Sequence, residues 1–138
     1  MFRVRAERGS YAVDVRTRLV LMRLARTVEG HFMYRFFDLP LVREYSPRFA
    51  GSWTLMHHIT PESPLHGRSL EQLREEDGEI IVSLIGFDGS TGQSIHAQHS
   101  YLDHEIGMNE RFEDMLSEIP NSHKMRVDLS RFDKTRPL

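Results

Sequence analysis

A chain of 138 residues suits one ordinary domain, and at that length a 39% hydrophobic content can close a core without metals or disulfides. Cysteine is absent, which excludes disulfides, thiolate zinc sites and a thiol nucleophile; no apolar run approaches the roughly 20 residues of a membrane helix, and MFRVRAERGS has no apolar signal core. The net charge of −2 is unevenly placed: residues 1–35 carry eight arginines against Glu7, Asp14 and Glu29, a balance of +5, and residues 36–138 carry −7.

From the N-terminus, Tyr11, Val13, Val15, Thr17, Leu19 and Leu21 alternate with Ala12, Asp14, Arg16, Arg18 and Val20. That period of two predicts a strand with Val13 and Val15 turned to the core and Asp14, Arg16 and Arg18 on the opposite face. The basic excess at this end reads either as a surface for an anionic neighbour, lipid or nucleic acid, or as a solvated arginine-rich strand face. Phe32, Tyr34 and Phe36 alternate likewise until Pro40 ends the strand. Trp53, Leu55, His57 and Ile59 predict a third strand, closed by Thr60-Pro61 and Ser63-Pro64. Ser69 and Gln72 have the spacing of a capping box, with Leu70 and Leu73 at helical spacing and Asp77-Gly78 as the stop, so one short helix is expected near residues 69–76.

The run EIIVSLIGF, residues 79–87, is nearly continuous and apolar and predicts a central buried strand. Asp88-Gly89 then starts a turn toward a strand over residues 94–101. Phe112, Met115 and Leu116 fit a helical turn and a strand equally, while Met125, Val127 and Leu129 predict a late strand before a polar tail. Many short strands with one short helix imply an all-β sandwich.

The sequence offers little chemistry. Among eight histidines, His96, His99 and His104 lie close in sequence, but no HExxH helix is present and on a strand positions 96 and 99 face opposite sides. G-x-S-x-G, the P-loop and G-x-G-x-x-G are absent, and aromatics do not interleave with basic residues as on an RNA platform. No enzyme, cofactor, metal or nucleic-acid partner is expected.

WTLMHHITPESPLHG, beginning at Trp53, resembles the W-T-(V/L)-(M/V)-H-x-I-(D/T)-x-x-S-P-L-x-G string of inward-rectifier potassium channels. ARTVEGHFMYRFFDL and FDLPLVREYSP before it, and SIHAQHSYLDHEI and RVDLSRFDKTRPL after it, are similar to further segments of that family in the same order, with the prokaryotic branch the nearer match. The resemblance implies an immunoglobulin-like β-sandwich: a single cytoplasmic domain, residues 1–138, four copies of which surround a pore as a homotetramer. It implies a channel fragment without the potassium filter or pore helices, truncated at its N-terminal side. Such a fragment is soluble alone and sits at the cytoplasmic face of the inner membrane in the parent channel.

By alignment with the family, Arg8 takes the place of an anionic-lipid contact, with Gly9 where the family has lysine. Asp14 takes the place of a vestibule acid that attracts potassium, magnesium or polyamines. Gln93, Ser94, Ile95, His96 and Ala97 take the place of the pore constriction loop, and a second vestibule acid of the animal channels falls near Gly89, beside Asp88. The alternatives are a stand-alone β-sandwich interaction module, or a small metal enzyme built on His96, His99 and His104.

Overall fold

The computed structural model describes residues 1–7 and 9–138 and is mostly strand with one α-helix. The long strand β2 (Ala12–Arg26) organises the larger unit. Its residues 12–22 pair antiparallel with β6 (Glu79–Asp88), which pairs with β7 (Ser94–Tyr101). The other edge of β2 is shared: β3 (Phe32–Asp38) takes residues 20–26 and β4 (Tyr45–Phe49) takes residues 12–16. The chain passes from one to the other through Leu39, whose N–H donates to Leu19 O at 2.9 Å, and Glu44, whose carbonyl accepts from Thr17 N at 2.7 Å and Thr17 Oγ1 at 3.1 Å.

The inner face of this sheet buries Leu19, Leu21 and Val82 against Phe2 of β1 (Phe2–Arg5) and Leu55 of β5 (Ser52–Leu55), an antiparallel ribbon that forms the second layer. Leu73 of α1 (Leu70–Glu75) joins the same core. The expected capping box is present, with Ser69 Oγ accepting from Gln72 N at 3.1 Å and Gln72 Oε1 from Ser69 N at 2.9 Å. The helix ends in a Schellman pattern: Asp77 is left-handed (φ 52°), its N–H donates to Arg74 O, and Gly78 N–H donates to Leu73 O. Glycine is needed at 78 because a Cβ there would stand 3.0 Å from the Leu73 carbonyl oxygen.

The chain divides into two compact units, residues 1–106 and 107–138. In the second, β8 (Glu110–Phe112) pairs with β11 (Thr135–Pro137) and β9 (Leu116–Glu118) with β10 (Met125–Val127). The ambiguous stretch around Phe112 is therefore two short strands, with Met115 buried between them. Leu129 falls in a 3₁₀ turn, and the polar tail supplies a strand.

The sandwich, the helix, and the strands over residues 79–88 and 94–101 follow the sequence pattern. The third expected strand is shorter, because β5 stops at Leu55 and His57 makes only an isolated bridge to Leu41. The alternation in β2 also breaks. Val13 pairs with Phe87 and Arg16 with Ile85, so Asp14 and Val15 together face the single residue Gly86. This is a β-bulge, with Asp14 at φ 54°. The bulge turns Ala12 inward and Val13 to a half-buried position, correcting the expectation that Val13 lies in the core; Val15 is fully buried as expected.

Gly86 is the counterpart of the bulge. A Cβ there would meet Val15 Cγ2 at 3.0 Å and the Val13 carbonyl oxygen at 3.2 Å. Gly86→Val should therefore lower stability by about 1–3 kcal/mol, the usual cost of overpacking, read as a reduced urea midpoint at unchanged slope; an unchanged midpoint would show that the bulge adapts freely. A pH effect is expected at the β6–β7 turn. Hydrogen bonds from Thr91 N–H and then Ser90 N–H to Asp88 hold its carboxyl below the usual carboxylate range. With the folded value depressed, the contribution is complete above the unfolded value near about 4 and is lost as pH falls below it. The stability difference between the native chain and Asp88→Ala should be present at neutral pH and vanish in acid.

Candidate functional site

Asp14 owes its place to the bulge. The extra residue takes the left-handed conformation, which aspartate tolerates better than the β-branched residues on either side. Its side chain emerges on the outer face, where Oδ1 accepts a 2.7 Å hydrogen bond from the Tyr45 hydroxyl of β4. That bond first, then removal from water and the negative charge itself, raise the Tyr45 phenol above its ordinary range, so it remains a donor to the carboxylate.

The two arginines that share the outer face with Asp14 are engaged elsewhere. The Arg16 guanidinium lies over the Tyr45 ring, 4.8 Å from its centroid. Arg18 donates from Nη2 and Nε to Asp38 Oδ1 at 2.8 and 3.1 Å, an exposed pair of the kind that contributes little stability. Among the described residues Asp14 is thus held by a neutral hydroxyl, and its carboxylate is exposed.

Residues 93–97 are a strand start more than a loop. Gln93 ends the turn, its carbonyl accepting from Asp88 N at 2.7 Å, while Ser94, Ile95, His96 and Ala97 already pair with Phe87, Gly86, Ile85 and Leu84 of β6. The turn proper is residues 88–93, fixed by Asp88 as an acceptor for Ser90 and Thr91 N–H and by Gly92 at φ 72°. The sheet register brings the separate candidates together. Ile95 pairs with Gly86, which faces the bulge carrying Asp14, and the next row runs Tyr45, Arg16, Ile85, His96. That row opens into a groove of about 580 Å³ whose lining includes Arg18, Asp38 and Glu44. His96 and His99 pair with Ile85 and Val82 on opposite faces, as strand alternation requires. Arg8, the lipid-facing candidate, lies outside the described residues.

Two features escaped the sequence reading. Tyr45 was the first; its signal was a tyrosine just before the S-P-R-F segment, which the pattern did not mark as a strand. The second is a lock between the start of β2 and the turn. Tyr11 Oη donates to Gly89 O at 2.8 Å, Gly89 N–H donates to Tyr11 O at 2.9 Å, and Arg48 stacks over the Tyr11 ring at 4.5 Å. A Cβ at Gly89 would stand 1.9 Å from the Tyr11 ring.

Comparison with known proteins agrees with this architecture and with the family suggested by the SPL-x-G block. The inward rectifier potassium channel C-terminal domain model matches residues 1–138. The chain is 35% identical over 132 residues to inward rectifier potassium channel Kirbac3.1 of Paramagnetospirillum magnetotacticum, which covers 96% of this chain and 44% of that protein. It is 34% identical over 142 residues to inward rectifier potassium channel 4 of Homo sapiens, covering 98% of this chain and 31% of that one. With ATP-sensitive inward rectifier potassium channel 12 of Gallus gallus the identity is 35%, over 98% of this chain and 32% of the relative. The chain spans less than half the length of each of these relatives, and no described helix is long and apolar enough to cross a membrane. By the match along its whole length, the chain belongs to the inward rectifier potassium channel C-terminal domain family.

Proposed function

We propose that this chain is the cytoplasmic gating and vestibule part of an inward-rectifier potassium channel, and that four copies surround the ion path below a membrane pore. The observation that carries the reading is Asp14: an exposed carboxylate at a bulge, held by the Tyr45 hydroxyl and without an arginine partner among the described residues. Four such carboxylates around one axis repel one another, and a magnesium ion or polyamine relieves that repulsion while potassium passes. The sheet register sets the turn of residues 88–93, with Ser94 and Ile95 beside it, level with the acid, so one end of the sheet supplies both the charge and the constriction. Both units of the chain act in this reading as one channel domain, with Arg8 toward anionic lipid headgroups.

Separated from its membrane part, the domain loses the high effective concentration that tethering supplies, so its tetramer is weak and concentration-dependent. A stand-alone interaction module is the other reading, and a strictly monomeric chain at high concentration would favour it.

Two measurements on the complete channel test the proposal. Asp14→Asn keeps the acceptor for Tyr45 and the left-handed backbone but removes the charge. It should weaken voltage-dependent block by internal magnesium or spermine by roughly tenfold or more, the scale of a surface potential of a few kT. Unaltered block in an intact tetramer would make Asp14 a structural partner of Tyr45 only. Ser94→Trp should cut potassium flux at matched surface expression, and unchanged flux would take this segment out of the ion path.

A further inference from the structure

The groove that opens from the row Tyr45, Arg16, Ile85, His96 holds about 580 Å³, within the ~300–1,000 Å³ usual for small-molecule sites. Two arginines and two carboxylates line it. Arg18 and Asp38 satisfy each other, since Arg18 Nε and Nη2 both donate to Asp38 Oδ1. That leaves Arg16 and Glu44, one charge of each sign, and among the described residues neither is in an ion pair.

The sheet fixes where both charges stand. Arg16 is paired with Tyr45 of β4 and Ile85 of β6, and its guanidinium lies over the Tyr45 ring, 4.8 Å from the centroid. A guanidinium that stacks through its face keeps its in-plane N–H donors for a carboxylate. Glu44 precedes Tyr45 and is anchored by its main chain, its carbonyl accepting from Thr17 N at 2.7 Å and Thr17 Oγ1 at 3.1 Å. The wall beside these charges is apolar. Ile85 is 55% exposed there, and Pro40 and Leu41 face the groove from the segment between β3 and β4.

We propose that this groove binds a free α-amino acid with an apolar side chain. Its carboxylate accepts paired hydrogen bonds from Arg16, its ammonium donates to Glu44, and its side chain covers Ile85. A zwitterion matches a lining with one unpaired charge of each sign, whereas a simple anion meets Glu44 and a simple cation meets Arg16 as like charges. It also adds no net charge to the face that carries Asp14. Every group invoked belongs to one chain, so the inference does not rest on the tetramer or on an ion path.

The test follows thermal unfolding of this chain against three probes at constant pH and ionic strength. They are L-leucine, isocaproate, which lacks the ammonium, and isoamylamine, which lacks the carboxylate. The expected result is a saturable rise in midpoint with L-leucine, half-complete at a concentration roughly tenfold or more below that of either analogue. In Arg16→Gln leucine should act no better than isoamylamine, and in Glu44→Gln no better than isocaproate. Arg26→Gln, at the far end of β2, should leave all three responses unchanged. Each variant is read as a ratio between ligands on the same folded chain, so a change in stability alone does not imitate the result. No saturable response to leucine, an analogue that equals leucine on the native chain, or a leucine preference that survives both substitutions overturns the proposal. None of these outcomes bears on block at Asp14, which is read in the complete channel.

Discussion

The outer face of the sheet is organised by a mismatch of one residue: two residues of β2 fit opposite Gly86 of β6. A perfectly alternating strand would carry the inward set of residues 15–21 straight through to Val13. The bulge resets the phase, so that Ala12 joins the core beside Val15 and Asp14 is left in between with a left-handed backbone. β4 follows the same change of phase, with Phe49 and Ser46 buried three residues apart. Gly86 makes this affordable, because a side chain there would collide with Val15. The acid's position therefore rests on a glycine of β6, one strand in from the edge strand β7.

Electrostatics along β2 have two characters. Around Asp14 the arginines are turned aside, one onto an aromatic face and one onto Asp38, and the carboxylate is held by a neutral hydroxyl. Around Arg23 the opposite holds: Arg35 faces it across the strand pair, and Glu76 pairs with both Arg23 and Arg68. The same strand thus presents one exposed carboxylate near one end and an arginine facing another arginine near the other. The sequence's basic excess over residues 1–35 is accordingly a local cluster plus scattered surface arginines, rather than a uniformly basic strand.

Much of the fold was legible because its signals are local. Ser69 and Gln72 state the helix start, Asp77-Gly78 its end, and the apolar run from Ile80 to Ile85 its central strand. The shorter strands were harder. Residues 45–49 hold a proline and an arginine among few apolar positions, so β4 is fixed by tertiary pairing with β2 and not by its own pattern. The strands of residues 107–138 are three residues each, too short for a period to be read. At the site, Asp14 was found through resemblance, whereas its bulge, its Tyr45 partner and its alignment with Ile95 depend on register between strands far apart in sequence.

The contact between Tyr11 and Gly89 ties two positions 78 residues apart into a single unit of change. With the ring lying where a Cβ would project, any side chain at 89 has to be accompanied by a smaller or differently turned residue at 11. Position 11 also carries the stacked Arg48, so its replacement would release a cation onto the surface beside the turn. Residues 11, 48 and 89 therefore form one packed unit: a side chain at 89 needs the Tyr11 ring moved aside, and moving it frees Arg48 next to the turn.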